Sequence, residues 1–356
     1  MTAKTYLRPT GFVDAPFGHD GKVARLAGGL QFFAGVEIIS ESGAAELVPV
    51  AGIEDRLDEA QKLIWQRLTS PRAALQLGER VVRLDQPQVV GIVNVTPDSF
   101  SGDGKDADTE AAIAAGHDMA AAGAAIVDVG GESTRPGAKP VWEGDEAARV
   151  LPVIRRLAVA GTAVSVDTRK ALVMEQGLAA GAGLVNDVSA LTWDDRALAV
   201  VAKAGCPVVL MHHKGPPETM QDDPRYDRPV LLEIYGWLEA RIAACEAAGI
   251  GREKIVVDPG FGFGKNVTHN LQLMNGLALL HGLGCPVMVG ASRKRTIGAL
   301  AGEAPADRRL PGSLAFALQA AGQGVQLLRV HDVPETVQAL RVWRGLRDAA
   351  LTPSSA

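Results

Sequence analysis

Aromatic residues are scarce, at 4% of a 356-residue chain that is 47% apolar. A core built around a few large rings is therefore excluded. Abundant Ala, Val, Leu and Gly point instead to many close helix–strand contacts. Cysteine is also rare: Cys206, Cys245 and Cys285 form no C-x-x-C pair and are odd in number, so three thiols in a reducing compartment are expected rather than a disulfide framework. No run approaches the roughly 18 apolar residues of a membrane span. The opening MTAKTYLRPTGF has no apolar signal-peptide core. A cytoplasmic protein with no membrane contact is the expectation. Positive charge is not in excess, since Lys and Arg number 36, Asp and Glu 41, and the net charge is −5. That excludes a global attraction for nucleic acid and requires any anion site to be local.

A rhythm runs from about Gln88 to the C-terminus. An Ala-rich helical stretch ends in Gly, a Val/Ile/Leu run follows, and the run stops at polar residues. Continuous β-branched runs suit strands buried on both faces, as in parallel sheets. Eight occur: QVVGIVNV to Val95, AAIVDVGG to Gly131, AVSVDT to Thr168, GLVNDVS to Ser189, PVVLMHH to His213, KIVVDPG to Gly260, PVMVGAS to Ser292 and VQLLRVHD to Asp332. Eight β-then-α units predict an α/β fold, a (β/α)8 TIM barrel over residues 86–350. An open doubly wound sheet is the alternative, disfavoured because every run ends in chemistry. Residues 1–85 break the rhythm. LQFFAGVEIIS reads as a strand or hairpin and Gly52–Leu68 has helical spacing, so a small α+β extension without a chemical motif is expected.

Catalytic groups of such a barrel sit where strands end. The first run ends in Asn94-Val-Thr-Pro-Asp-Ser-Phe100, a Gly- and Pro-containing loop that resembles a lid. Asn94 can ligate Mg²⁺, donate to phosphate, or simply cap the turn. The second carries Arg135 beside Pro136, an anion-handling loop or a solvated one. Asp167 and Asn186 end the third and fourth. A carboxylate in an apolar run needs a partner, and Asp with Asn offers a planar donor–acceptor set for a fused heterocycle with amino and lactam edges. Adjacent His212 and His213 point to opposite faces of a strand, which argues against a shared metal. Asp258-Pro-Gly-Phe-Gly-Phe263-Gly-Lys265 fails both the P-loop and the dinucleotide fingerprints. Arg329 and His331 leave the same strand face. With Ser292 they make a candidate diphosphate cradle after the last two strands. Lys294 is cationic at the mouth and is also a candidate Schiff-base lysine.

Asn94-Val-Thr-Pro-Asp-Ser-Phe-Ser, Gly130-Gly-Glu-Ser-Thr-Arg-Pro-Gly, Asp258-Pro-Gly-Phe-Gly-Phe-Gly-Lys, Ser292-Arg-Lys and Arg329-Val-His-Asp together resemble the dihydropteroate synthase family, in order from about Val90 to Trp343. The resemblance implies condensation of 6-hydroxymethyl-7,8-dihydropterin diphosphate with p-aminobenzoate, assisted by Mg²⁺, in a homodimer. It places the pterin pocket on Asp128, Asp167, Asn186, Met211, Asp258 and Lys294. Diphosphate and Mg²⁺ groups fall on Asn94, Ser292, Arg329 and His331. The p-aminobenzoate pocket falls on Thr134, Arg135, Pro136, Phe263 and the Lys294–Arg295 backbone, with Phe100 closing over it. Lys294, Asp167, Asp258, Arg329 and His331 are the catalytic candidates. The sequence departs from the family pattern at Phe100-Ser-Gly-Asp-Gly, His213 and Thr296. Rival readings are a methyltetrahydrofolate-dependent methyltransferase barrel, a Schiff-base aldolase on Lys294 and a non-catalytic pterin-binding protein.

Overall fold

The structure, a computed structural model, describes residues 4–96, 105–133, 140–215 and 219–352. The chain begins with an antiparallel sheet of β1 (Thr5–Val13), β2 (Ala24–Arg25), β3 (Phe32–Ser40) and β4 (Ala45–Pro49). β3 is the centre of that sheet, pairing with all three others, so LQFFAGVEIIS is one strand and not a hairpin. A helix, Glu59–Thr69, follows; Asp58 and Gln61 close its first turn as a capping box. Its Trp65 and Leu68 pack with Leu7, Phe33, Val36 and Val48 of the sheet and with Ala278 of the barrel wall.

A hairpin of β5 (Leu75–Leu77) and β6 (Arg80–Val82) leads to eight parallel strands: β7 (Gln88–Asn94), β8 (Ile126–Gly130), β9 (Val164–Asp167), β10 (Leu184–Asp187), β11 (Val208–Met211), β12 (Ile255–Asp258), β13 (Met288–Val289) and β14 (Leu327–Val330). All eight expected runs form strands. Their pairing order is β12-β11-β10-β9-β8-β7-β14-β13. A parallel bridge from Val257 to Val287, with the Val257 amide donating to the Pro286 carbonyl at 2.9 Å, joins the two ends. The open-sheet alternative falls with that closure. Helices on the outside cover the outer faces of the strands, burying Val127, Val129, Val164, Val166, Val185, Val208, Leu210, Ile255 and Val257.

The floor of the barrel is a separate apolar layer. Val90, Ile126, Ala163, Leu184, Val209, Val256, Met288 and Leu327 point inward, and Leu75, Leu77, Val82 and Leu84 close over them from below. The β5–β6 hairpin, inside the segment read from sequence as an extension, thus packs as the plug of the barrel. Among the described residues no helix is long and apolar enough to cross a membrane.

Candidate active site

Side chains alternate along a strand, so each inward floor residue dictates which later residue faces inward above it. Two positions beyond Ile126 lies Asp128; beyond Leu184, Asn186; beyond Val209, Met211; beyond Val256, Asp258; beyond Leu327, Arg329. Two and four beyond Ala163 lie Ser165 and Asp167, and four beyond Val90 lies Asn94. One apolar layer therefore carries a polar layer on top of it. Strand register brings the neighbours together: Asp128 lies beside Ser165, Asn186 beside Asp167, and Met211 beside Asp258.

Asp128 is fully buried and accepts three hydrogen bonds. Its Oδ2 accepts from Arg329 Nε at 2.6 Å and from Asn186 Nδ2 at 3.0 Å, and its Oδ1 accepts from the Ser165 hydroxyl. Asp167 receives the other arm of the same guanidinium at 2.6 Å. One cation thus serves two carboxylates. Burial works against the Arg329 charge, but Asp128 and Asp167 carry its pKa upward, so it stays protonated. Burial pushes the Asp167 carboxyl up to about 7, with Arg329 opposing and Asp128 helping. Asp258 is likewise raised by burial, to about 6, against the Gly260 amide, Lys294, Arg329 and Lys265.

The loop after β12 is pinned from several sides. Gly260 N donates to Asp258 Oδ1 at 2.7 Å, Gly262 N to Asn270 Oδ1 at 2.8 Å, and Tyr226 Oη to the Gly264 carbonyl at 2.9 Å; Gln221 also donates to the Gly262 carbonyl. Gly260 has φ of +68°, and a Cβ there would sit 1.8 Å from the His212 carbonyl oxygen, so only glycine fits. The loop delivers Phe263, whose ring lies under Lys294 with Nζ 4.2 Å from its centroid.

On the last two strands, Ser292 Oγ lies 3.1 Å from His331 Nδ1 and accepts from the His331 amide at 3.2 Å. Burial, then Arg329 and Arg293, bring the His331 imidazole down to about 4, so it is neutral near pH 7. Arg293 faces away and pairs with Asp332. Asn94 stands at the end of β7 with a half-buried side chain that makes no hydrogen bond among the described residues. A carboxamide oxygen left open at a strand end fits a Mg²⁺ that takes few protein ligands and completes its shell from phosphate and water. Among the described residues no cluster of three or more His, Cys, Asp or Glu forms a self-sufficient metal cage.

Comparison with known proteins agrees with this geometry. The pterin binding enzyme family matches residues 90–331. Dihydropteroate synthase of Escherichia coli K12 is 48% identical over 260 residues, covering 73% of this chain and 91% of that one. The chain belongs to the dihydropteroate synthases. Among solved structures, the Xanthomonas albilineans dihydropteroate synthase with 4-aminobenzoic acid superposes with a TM-score of 0.73 at 48% identity, over 78% of this chain and 98% of that one. A Yersinia pestis dihydropteroate synthase in a sulfonamide drug complex gives 0.73 at 45%, over 77% and 99%. The family match begins at residue 90, so β1–β4 lie outside it. The methyltransferase, aldolase and non-catalytic readings gain nothing from these relatives.

In this dihydropteroate synthase fold, Asp128, Asp167, Asn186, Met211, Asp258, Lys294, Arg329, His331, Ser292 and Asn94 all come to the C-terminal mouth of the barrel. Phe263 joins them through Lys294. Arg295 is exposed at the start of the helix Arg295–Leu300, next to Lys294 in the chain. Phe100, Thr134, Arg135 and Pro136 lie outside the described residues. A cleft of about 510 Å³ at the other end of the barrel, between Arg80–Arg83 and Ala160–Ala163, is lined by none of these groups.

Three residues that shape the site, Ser165, Glu132 and Lys265, were not expected from sequence. Ser165, two before Asp167 on the same strand face, was legible in principle from the alternation. Asp187 turns away from the site and folds its own turn, accepting from Ser189 N, Ser189 Oγ and Leu191 N at 2.7 to 2.8 Å. Glu132 ties the two sides of the second loop: it accepts from Val141 N at 2.8 Å, Lys170 Nζ at 3.0 Å and Arg169 Nε at 3.1 Å. Lys265 closes the loop after β12 from within. The last two depend on contacts across the fold and carry no local signal.

Proposed function

We propose that the protein joins 6-hydroxymethyl-7,8-dihydropterin diphosphate to p-aminobenzoate, releasing diphosphate and 7,8-dihydropteroate, at the mouth of the barrel. One observation carries this reading. The carboxylate–amide set Asp128, Asn186 and Asp258 shares a single site with the Ser292–His331 pair and the Arg329 cation. That is a polar-heterocycle receptor beside an anion receptor.

Asp128, Asn186 and Asp258 accept from and donate to the edges of the pterin, with Met211 and Lys294 along its face. Ser292 Oγ, the neutral His331 imidazole and Arg329 bind the diphosphate, and Asn94 is the residue that would hold Mg²⁺. When bound, Mg²⁺ neutralises charge on the departing diphosphate. The C–O bond from the exocyclic methylene to diphosphate breaks, its electron pair leaving with the phosphate oxygen. The p-aminobenzoate nitrogen supplies the pair for the new C–N bond and loses a proton to solvent. Asp167 and Asp258 place negative charge near the methylene as it becomes cationic, so positioning and electrostatics do most of the work. Phe263 and the Lys294–Arg295 backbone, with Phe100, Thr134, Arg135 and Pro136, hold p-aminobenzoate. A dissociative order is part of this reading, and isotope effects showing C–N bond formation well ahead of diphosphate loss would overturn it.

The protein is further proposed to be cytoplasmic, and to be a homodimer as the family resemblance implies. The experiment is product formation from the two substrates with and without Mg²⁺, for wild type and Lys294→Ala. Turnover that needs Mg²⁺ and collapses in the variant supports the reading. Absence of dihydropteroate from well-folded wild-type protein overturns it.

A further inference from the structure

Lys265 is 2% exposed, at the foot of the loop after β12. Its Nζ lies 3.0 Å from His212 Nδ1 and 3.0 Å from the Phe263 carbonyl oxygen. Both acceptors are neutral, because burial and then the charge of Lys265 bring the His212 imidazole down to about 2. The His212 ring is itself held edge-on against Trp237, with centroids 5.0 Å apart. An ammonium buried between neutral acceptors needs an opposite charge to stay protonated. Burial brings Lys265 down to about 7, Asp258 opposes that fall, and Lys294 adds to it. The interaction is reciprocal: Lys265 is one of three cations that hold Asp258 toward its ionised form.

The same ammonium controls geometry. His212 N donates to the Asp258 carbonyl at 2.9 Å, so the two strand ends that carry the pair are joined directly. The grip on the Phe263 carbonyl fixes the backbone whose ring lies under Lys294 Nζ. Lys265 thus reaches both the acid at one edge of the pocket and the lysine on its face, without lining the pocket itself.

We propose that Lys265 is a positioning residue for the pterin end of the site, supporting the negative charge of Asp258 and seating the Phe263–Lys294 stack through its buried ammonium. Asp258 is the acceptor that has to be ionised to take two N–H groups from a pterin edge. The charged groups facing it are Lys294 from the segment after β13, Arg329 from β14 and Lys265 from its own loop. Asp128 and Asp167 stand across the barrel on Arg329, and His212 contributes no charge. Removing one of three cations raises the pH at which Asp258 takes up its proton.

The inference rests on the pterin reading of the site, and the two can be told apart. Binding of 6-hydroxymethylpterin is measured by calorimetry between pH 5 and 8.5 for wild type, Lys265→Met and Lys265→Arg, with thermal unfolding of each. Wild type that does not bind the probe overturns the pterin reading and this inference with it. If wild type binds, folded Lys265→Met is expected to bind about tenfold more weakly at pH 7. Its acidic limb of affinity should move up by roughly one pH unit, while Lys265→Arg keeps the wild-type limb. A role in folding alone lowers the melting temperature and leaves the limb in place, and that result overturns the proposal. Should Lys265→Met not fold, His212→Leu removes the acceptor that steadies the ammonium and is expected to shift the limb the same way. An unmoved limb there is equally decisive against it.

Discussion

Arg329 Nε lies 2.6 Å from Asp128 Oδ2, which ties the proposed diphosphate cradle to the floor of the proposed pterin pocket. The other arm of the guanidinium holds Asp167 at 2.6 Å. The two halves of the substrate would therefore share one cation. Diphosphate entering the cradle would draw positive charge from the two carboxylates as they engage the pterin.

Replacing Arg329 with Met leaves Asp128 and Asp167 buried without their cation. Breaking a buried pair by removing one partner costs about 3–5 kcal/mol. Urea unfolding is expected to show a loss of that order, and kcat/KM to fall at least about 100-fold because the charge proposed to stabilise the leaving group is gone. A stable, active Arg329→Met protein would remove Arg329 from both roles.

Asp258 sets opposite pH trends for stability and for activity. Its folded pKa is raised, to about 6, above the ordinary carboxylate value. Such a group contributes stability that is fully present below about pH 4 and is lost as pH rises through about 6. Asp258→Asn has no proton to lose, so its stability relative to wild type is expected to improve by on the order of 2 kcal/mol between pH 4 and pH 8. Pterin binding by wild type, on the proposed role of Asp258 as an ionised acceptor, should instead strengthen over the upper part of that range. Unfolding curves at the two pH values test the first trend and binding titrations the second.

Gly260→Ala is expected to be disabling although it adds one methyl group. The Cβ would overlap the His212 carbonyl oxygen, and φ at +68° already disfavours an L side chain. The loop has to move, carrying Phe263 and Lys265 with it. A loss of about 3 kcal/mol or more in unfolding free energy is expected, with weakened binding of the pterin. Wild-type melting and affinity in this variant would mean that the loop has another conformation.

Arg347 addresses the N-terminal extension. This buried guanidinium at the far end of the helix Val333–Leu351 donates to the Asp14 carbonyl at 2.6 Å, the Leu30 carbonyl at 3.1 Å and Asp14 Oδ1 at 3.1 Å. It fastens the loop between β1 and β3 to the last helix of the barrel. Arg347→Leu strands those carbonyls and is expected to lower stability by about 2 kcal/mol. With the barrel mouth untouched, kcat should stay at the wild-type value. Thermal unfolding beside a steady-state assay separates the two effects.

The sequence by itself determined the eight strands and the alternation of side chains along them, because both follow from local patterns. A strand buried on both faces leaves an unbroken apolar run, and the two-residue alternation above a floor residue such as Ile126 or Leu327 carries Asp128 and Arg329 to the mouth. Motif chemistry then named most of the candidate site, down to Ser292 and His331. The sequence left open what depends on contacts between distant segments. Only the tertiary structure decided that Arg329 grips Asp128 and Asp167, 201 and 162 residues away. It also showed that Leu75–Val82 plugs the barrel floor, that Asp187 serves its own turn while Asn186 donates to Asp128, and that Lys265 meets His212. The physical reason is that strand period is a property of neighbours in the chain, whereas the partner of a buried charge is chosen by barrel closure and by the loss of water around it.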